Sequence, residues 1–202
     1  MKKIILLLIV CCIGLTAMAQ KPTFGIRAGL NISTLGGKNA DVIANGSKVG
    51  LNAGGFVNLP IGTGFSIQPE LSYSQLGAEI STTYIFPGGG SGTIDTWNFD
   101  YLTLPILGKY DFTNSGFSLY AGPQIGLLTS AKYEYDDGSK DDVKSLFKKT
   151  DFGGILGGEY TFTKIPLGIS ARYQFGISSI ADDKNVDIRN NTSTFSLYYN
   201  FK

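Results

Sequence analysis

Histidine is absent from this 202-residue chain, and its two cysteines, Cys11 and Cys12, sit together near the start. The first absence removes the usual general base and the commonest nitrogen ligand for metals. The second leaves everything after Gln20 without a disulfide, a thiolate nucleophile or a sulfur metal ligand. Charge is scarce too: 16% of residues are charged, against roughly 25% in soluble domains. The 17 Lys plus Arg nearly cancel the 16 Asp plus Glu, which excludes a polybasic nucleic-acid binder. No segment beyond Gln20 approaches ~18 consecutive apolar residues, so a membrane-spanning helix is excluded there.

Glycine and aromatic residues are plentiful instead. The chain has 27 Gly, 13 Phe and 11 Tyr, but one Trp, and its glycine content is nearly double the ~7% norm. Its length fits one domain.

The amino terminus reads as an export signal. Met1-Lys2-Lys3 is basic, Ile4 to Leu15 is almost wholly apolar, and Ala17-Met18-Ala19 has the small-x-small form that a signal peptidase accepts. Residues 1–19 are therefore expected to be removed by cleavage between Ala19 and Gln20, leaving one domain at 20–202. The apolar run is shorter than the ~20 residues of a spanning helix. Val10 and Cys11, which precede the cysteines, are not the small residues of a lipid-attachment signal, so Cys11 and Cys12 read as apolar filler.

Beyond it the periodicity is two. In Phe24-Gly25-Ile26-Arg27-Ala28-Gly29-Leu30-Asn31-Ile32 each even position is apolar and each odd one is Gly or polar, the period of a strand with two unlike faces. Segments 48–59, 65–75, 99–110, 117–130, 151–162, 167–177 and 193–201 behave alike, each close to the ~9–11 residues of a tilted membrane strand. The connections alternate in length. Pro60–Gly64, Asp111–Gly116 and Thr163–Pro166 are short; 33–47, 76–98, 131–150 and 178–192 are long and rich in Gly, Ser, Asn and Asp. Up-and-down strands place all long loops at one end, as in outer-membrane barrels with short periplasmic turns.

The predicted fold is all-β: an eight-stranded antiparallel up-and-down transmembrane β-barrel after a cleaved signal peptide. A soluble lipocalin-like barrel with an apolar interior is the competing arrangement. The polar face decides between them, since it carries few charges, chiefly Arg27, Glu70, Lys109, Glu159 and Arg172, among many small polar residues. A water-facing exterior would carry far more Lys and Glu, whereas a narrow lumen suits small residues around a few large ones. Phe24, Phe65, Tyr110, Phe117, Phe162 and Phe201 fall toward the short turns, and Tyr73, Tyr133, Phe152 and Phe175 toward the long loops, as two interfacial girdles require.

Phe24-Gly25-Ile26-Arg27-Ala28-Gly29-Leu30-Asn31, Ile67-Gln68-Pro69-Glu70-Leu71-Ser72-Tyr73, Tyr101-Leu102-Thr103-Leu104-Pro105-Ile106-Leu107 and Asp151-Phe152-Gly153 together resemble the PorT-like outer-membrane β-barrel family. The resemblance covers the chain after the signal and implies an eight-stranded barrel in the bacterial outer membrane, in a family where a few members relate to secretion or gliding. Such barrels usually finish on an aromatic residue read by the assembly machinery, whereas here Phe201 is followed by Lys202.

The five interior charges are expected to pair into a structural network that plugs the lumen, because an unpaired charge in low dielectric is costly. Glu159 is expected to reach Arg172 diagonally across the next strand. No catalytic, cofactor or metal residues are assigned. Asp136-Asp137-Gly138-Ser139-Lys140-Asp141-Asp142 lacks the alternating ligands and distal Glu of a calcium loop. Asp141 to Lys149 has Val143, Leu146 and Phe147 at helical spacing and predicts one amphipathic loop helix. Pro69, Pro105 and Pro123 predict local bulges or bends, since proline donates nothing to a ladder.

The expected role is structural or binding, with the long loops as the working surface. A narrow channel or transporter, or a component of a secretion apparatus, is the alternative. A lipid-modifying enzyme is disfavoured by the missing histidine. Expected partners are outer-membrane lipid and lipopolysaccharide around the barrel, the barrel-assembly machinery at the last strand, and a protein at the loops.

Overall fold

In the computed structural model, residues 21–40, 44–86 and 89–201 are described. The expected export signal and its expected cleavage site between Ala19 and Gln20 lie outside the described residues. The strands are β1 (Thr23–Gly36), β2 (Lys48–Pro60), β3 (Phe65–Phe86), β4 (Gly89–Asp111), β5 (Phe117–Glu134), β6 (Lys140–Asp142), β7 (Thr150–Thr161), β8 (Leu167–Gly176) and β9 (Arg189–Phe201). Eight of them close a ring by antiparallel pairing of neighbours, and β9 returns to β1 from Phe24↔Phe201 to Gly36↔Arg189. The short β6 stands outside the ring, added to the loop end of β5 at Lys132↔Asp142.

The two-residue period fixes which face each side chain takes. In β1, Arg27, Asn31 and Ser33 are buried while Phe24, Ile26, Leu30 and Ile32 are exposed. All eight ring strands repeat this, so the exterior is an apolar belt including Leu51, Leu71, Leu104, Leu119, Leu156, Ile169 and Leu197, and the interior is largely polar, with one small apolar cluster of Leu107, Tyr120 and Ile155. This inverts a lipocalin. A continuous apolar exterior would drive aggregation in water and is stable in lipid. At the short-turn end, aromatic side chains pack against one another along the rim, Phe65–Tyr110 tilted with centroids 4.7 Å apart, and Tyr160–Phe162 (5.5 Å) and Tyr199–Phe201 (5.4 Å) edge to face. At the other end Tyr73, Phe152, Tyr173 and Phe175 are exposed around the belt. Tyr133 departs from that ring and joins a loop stack with Trp97 (4.7 Å) and Tyr135 (4.8 Å).

Three expectations are corrected. Most of segment 76–98 is not a loop: β3 and β4 continue as one hairpin, paired from Leu76↔Phe99 to Phe86↔Gly89. Gly77 sits at φ +147, and a Cβ there would collide with the Trp97 carbonyl oxygen, so only glycine admits this approach. The amphipathic loop helix is absent. Asp141 and Asp142 belong to β6, and one turn of 3-10 helix at Lys144–Leu146 follows before Phe147 becomes extended. Finally, the prolines interrupt ladders without forming bulges. Pairing of β2 with β3 jumps from Phe56↔Glu70 to Leu59↔Ile67 past Pro69, and β3 with β4 jumps from Pro69↔Ile106 to Ser72↔Thr103 past Pro105. Likewise β4 with β5 jumps from Pro105↔Gln124 to Gly108↔Ala121 past Pro123. Each gap resumes in the same register, because the missing N–H removes a bond and adds no residue. The bulge lies elsewhere, between Asp100↔Ser130 and Tyr101↔Leu128, where Thr129 is the extra residue and its hydroxyl donates to the Asp100 carbonyl at 2.8 Å.

Candidate functional site: the lumen and its outer cap

Alternation aims the five long charged side chains at the barrel axis, and the small residues around them leave room to meet. Glu70 is the hub. Its carboxylate accepts from Arg172 Nη1 at 2.7 Å and from Gln68 Nε2 at 2.9 Å, and lies 3.2 Å from Arg27 Nη2. Arg27 also reaches Glu159 at 3.4 Å, and Lys109 Nζ donates to the other Glu159 oxygen at 2.5 Å. Arg172 donates further to Asn52 Oδ1 at 3.2 Å. The Arg27 guanidinium stands 5.2 Å from the Phe56 ring and 6.0 Å from Tyr198, two rings that themselves pack edge to face at 6.1 Å, so it makes cation–π contact with both toward the short turns. Lys109 also lies 3.3 Å from Asp111 at the rim, a residue that the periodicity left unassigned.

The expected Glu159–Arg172 contact does not form. Arg172 stands opposite Gly157 on β7, and Glu159 opposite Ser170 on β8. Both charges instead span the lumen, Arg172 to β3 and Glu159 to β1 and β4. A narrow barrel brings opposite walls within reach of long side chains, so neighbouring strands are not the preferred partners.

Above the charges lies a neutral layer. Asn31 Nδ2 donates to Ser74 Oγ at 2.9 Å, Thr194 Oγ1 donates to Asn31 Oδ1 at 2.8 Å, and Ser33 Oγ donates to the Gly77 carbonyl at 2.9 Å. Higher still, Asn190 Nδ2 donates to Asp151 Oδ2 at 2.9 Å and to the Tyr101 hydroxyl at 3.3 Å. Asp151 is buried, and sequence reasoning missed it because it opens a strand beside a loop.

The long-loop end is closed by an apolar cluster. Leu76, Phe99, Tyr101, Leu128, Ala131, Phe147, Ile180, Ala181 and Ile188 are all buried in it, with Leu35, Trp97, Val143 and Val186 against them. Phe147 contacts Phe99 (4.7 Å) and Trp97 (5.5 Å) edge-on. The two loops that supply the cap are tied together: Phe147 bridges Ala181, Lys148 N–H donates to the Ile180 carbonyl at 2.8 Å, and Asp182 N–H to the Leu146 carbonyl at 3.0 Å.

The family comparison decides what this barrel is. A family model described as "Outer membrane protein beta-barrel domain" matches residues 18–182. The chain belongs to that family. Its place is the bacterial outer membrane, and its apolar belt is the lipid-facing surface. Among solved structures it is similar to Neisserial surface protein A (16% identity, TM-score 0.55, covering 90% of this chain and 100% of that one). It is also similar to Ail, the attachment invasion locus protein of Yersinia pestis (15% identity, TM-score 0.51, 90% and 100%). At these identities the likeness is one of fold. No curated protein matches the chain in sequence.

For this family member the arrangement sets what the interior can do. Arg27, Lys109 and Arg172 are each committed to an acid, and Glu70 and Glu159 each hold two cations. No group of three or more His, Cys, Asp or Glu that could hold a metal occurs among the described residues. Outside the membrane belt, Arg189 donates to Asp187 at 2.9 and 3.1 Å and holds that carboxyl below the usual carboxylate range, fixing the descent into β9. A cleft of about 460 Å³ opens between the capping loops, walled by Trp97, Leu146, Phe147, Val186 and Ile188 with Asp182 and Asp183 at its margin.

Proposed function

We propose that this protein is a closed-lumen outer-membrane barrel that works through its loop surface, in a structural or binding role. The observation that supports this reading is obstruction at two levels, an ion-paired layer around Glu70 and Glu159 and an apolar lid around Phe147. A hydrated ion would have to strip its shell to cross the lid and then displace a paired charge. Purified protein in a planar bilayer is expected to give no stepwise conductance. Steady unitary steps would overturn the reading in favour of a narrow channel or transporter.

The loops face outward and the short turns face the periplasm. Cysteines placed at Ser139 and Asn185 are expected to react with an impermeant maleimide on intact cells, and those at Thr63, Asn114 and Lys164 are not. The opposite pattern would invert the barrel. The cleft beside Trp97 is the candidate contact for a protein partner, lipid and lipopolysaccharide surround the belt, and the assembly machinery reads β9.

Catalysis is not part of this reading: histidine is lacking, and both acids of the charged layer are tied up in ion pairs. An unchanged lipid profile in a deletion strain is the expected result. The chain is PorT-like on the four segments that carry that resemblance. The alternative it brings, membership of a secretion apparatus, would appear as secretion components in a pull-down from intact outer membrane.

A further inference from the structure

Asp151 is the buried charge that the network leaves out. Among the described residues Arg27, Glu70, Lys109, Glu159 and Arg172 are buried and ion-paired, whereas Asp151, only 4% exposed, is in no ion pair. Its Oδ2 accepts from Asn190, but its Oδ1 has no hydrogen-bond partner. Two further oxygens on the inward face of β9, Oδ1 of the same Asn190 and Oγ1 of Thr192 two residues on, also have none. The wall beside them is bare. Gly126 is the Cα partner of Asp151, and Gly153, the next inward residue on β7, is paired with Gly176.

We propose that Asp151, Asn190 and Thr192 form a binding site for one alkali cation, sodium, sealed in the lumen beneath the apolar lid. The donors are all oxygens, which select a hard cation over a transition metal. One carboxylate neutralises one positive charge, while a divalent ion would leave net charge in a low-dielectric interior. A proton on Asp151 is the competing occupant: donated from Oδ1 to Asn190 Oδ1 it would pair those two oxygens and leave Thr192 Oγ1 without a partner. The site is independent of the loop-surface function: it holds together the upper strands on which the lid rests.

The test is refolding from urea into detergent micelles in sodium chloride or choline chloride at equal ionic strength, so that entry past the lid is not limiting. The wild-type urea midpoint is expected to be higher in sodium and to rise with the logarithm of sodium concentration, as for a ligand that binds only the folded state. Asp151→Asn, which keeps the shape and removes the charge, should give the same midpoint in both salts. Thr192→Val, which keeps the volume, should move the sodium response to higher concentration. Identical wild-type midpoints in sodium and choline would overturn the site and assign a proton to the carboxyl. An Asp151→Asn barrel with the wild-type sodium response would overturn it equally.

Discussion

Replacing Glu70 by Gln is expected to destabilise the barrel by about 3–5 kcal/mol, the usual cost of removing one partner from a buried ion pair. The effect belongs at the top of that range because one carboxylate serves two guanidiniums, Arg172 at 2.7 Å and Arg27 at 3.2 Å. The amide keeps the shape and one acceptor oxygen, so packing is nearly unchanged. What it loses is the charge that offsets two cations taken out of water. Arg27 is already the least satisfied member, since its Nε and Nη1 find no hydrogen-bond acceptor in the protein. Urea unfolding of the reconstituted barrel reads the change directly. Asp111→Asn is the control: Asp111 pairs with the same Lys109 that binds Glu159, but its side chain is 45% exposed, and a pair of that kind contributes only ~0–1 kcal/mol. A Glu70→Gln barrel as stable as wild type would show that the ion pairs do not hold the wall together. A more stable one would put Glu70 on the lipid face, where neutralising a charge is favourable.

The same residues show how far the sequence could be read. Period two sufficed to name Arg27, Glu70, Lys109, Glu159 and Arg172 as one inward set, because facing is a local property of a pleated strand. Partner choice is not local. Arg27 and Glu159 lie on β1 and β7, which do not pair, and their contact follows from barrel diameter and side-chain length rather than strand order. Asp151 escaped for a related reason: a polar residue where strand meets loop reads as solvent-facing until loops are known to close over it. The hairpin of β3 and β4 was hidden because its glycine-rich tip breaks the pattern and its upper part has no ring neighbour to impose a polar face. Val143, Leu146 and Phe147 are spaced as on a helix, yet one turn of 3-10 helix suffices to send Phe147 inward while Leu146 stays exposed. Helical spacing over so few residues describes a turn as well as a helix.

The lid yields the second large effect. Truncating Phe147 to Ala is expected to cost about 3–5 kcal/mol, as for other buried phenylalanines, because its ring fills the space between Phe99 and Trp97 that nothing else can reach. The loss should be local. Below the lid the ring of strands is closed by its own ladders, and Phe147 belongs to none of them. The two capping loops meet through few bonds, the backbone bonds of Lys148 and Asp182 that make the Phe147–Ala181 bridge and the Lys148 ammonium on the Ser179 carbonyl, so they should open as one unit while the barrel persists. Amide exchange at Lys148 and Asp182 should then speed up by about two to four orders of magnitude, the equivalent of that free energy, with exchange in the middle of β1 and β9 unchanged. A cysteine at Thr192, buried beneath the lid, supplies a second reading: protected in the wild type, it should react with a small maleimide once Phe147 is truncated. If exchange at the loops stays slow and Thr192→Cys stays protected, Phe147 is not the keystone of the lid. If the whole barrel melts instead, the lid and the wall are a single cooperative unit, and the closed mouth is part of what makes the strands stable.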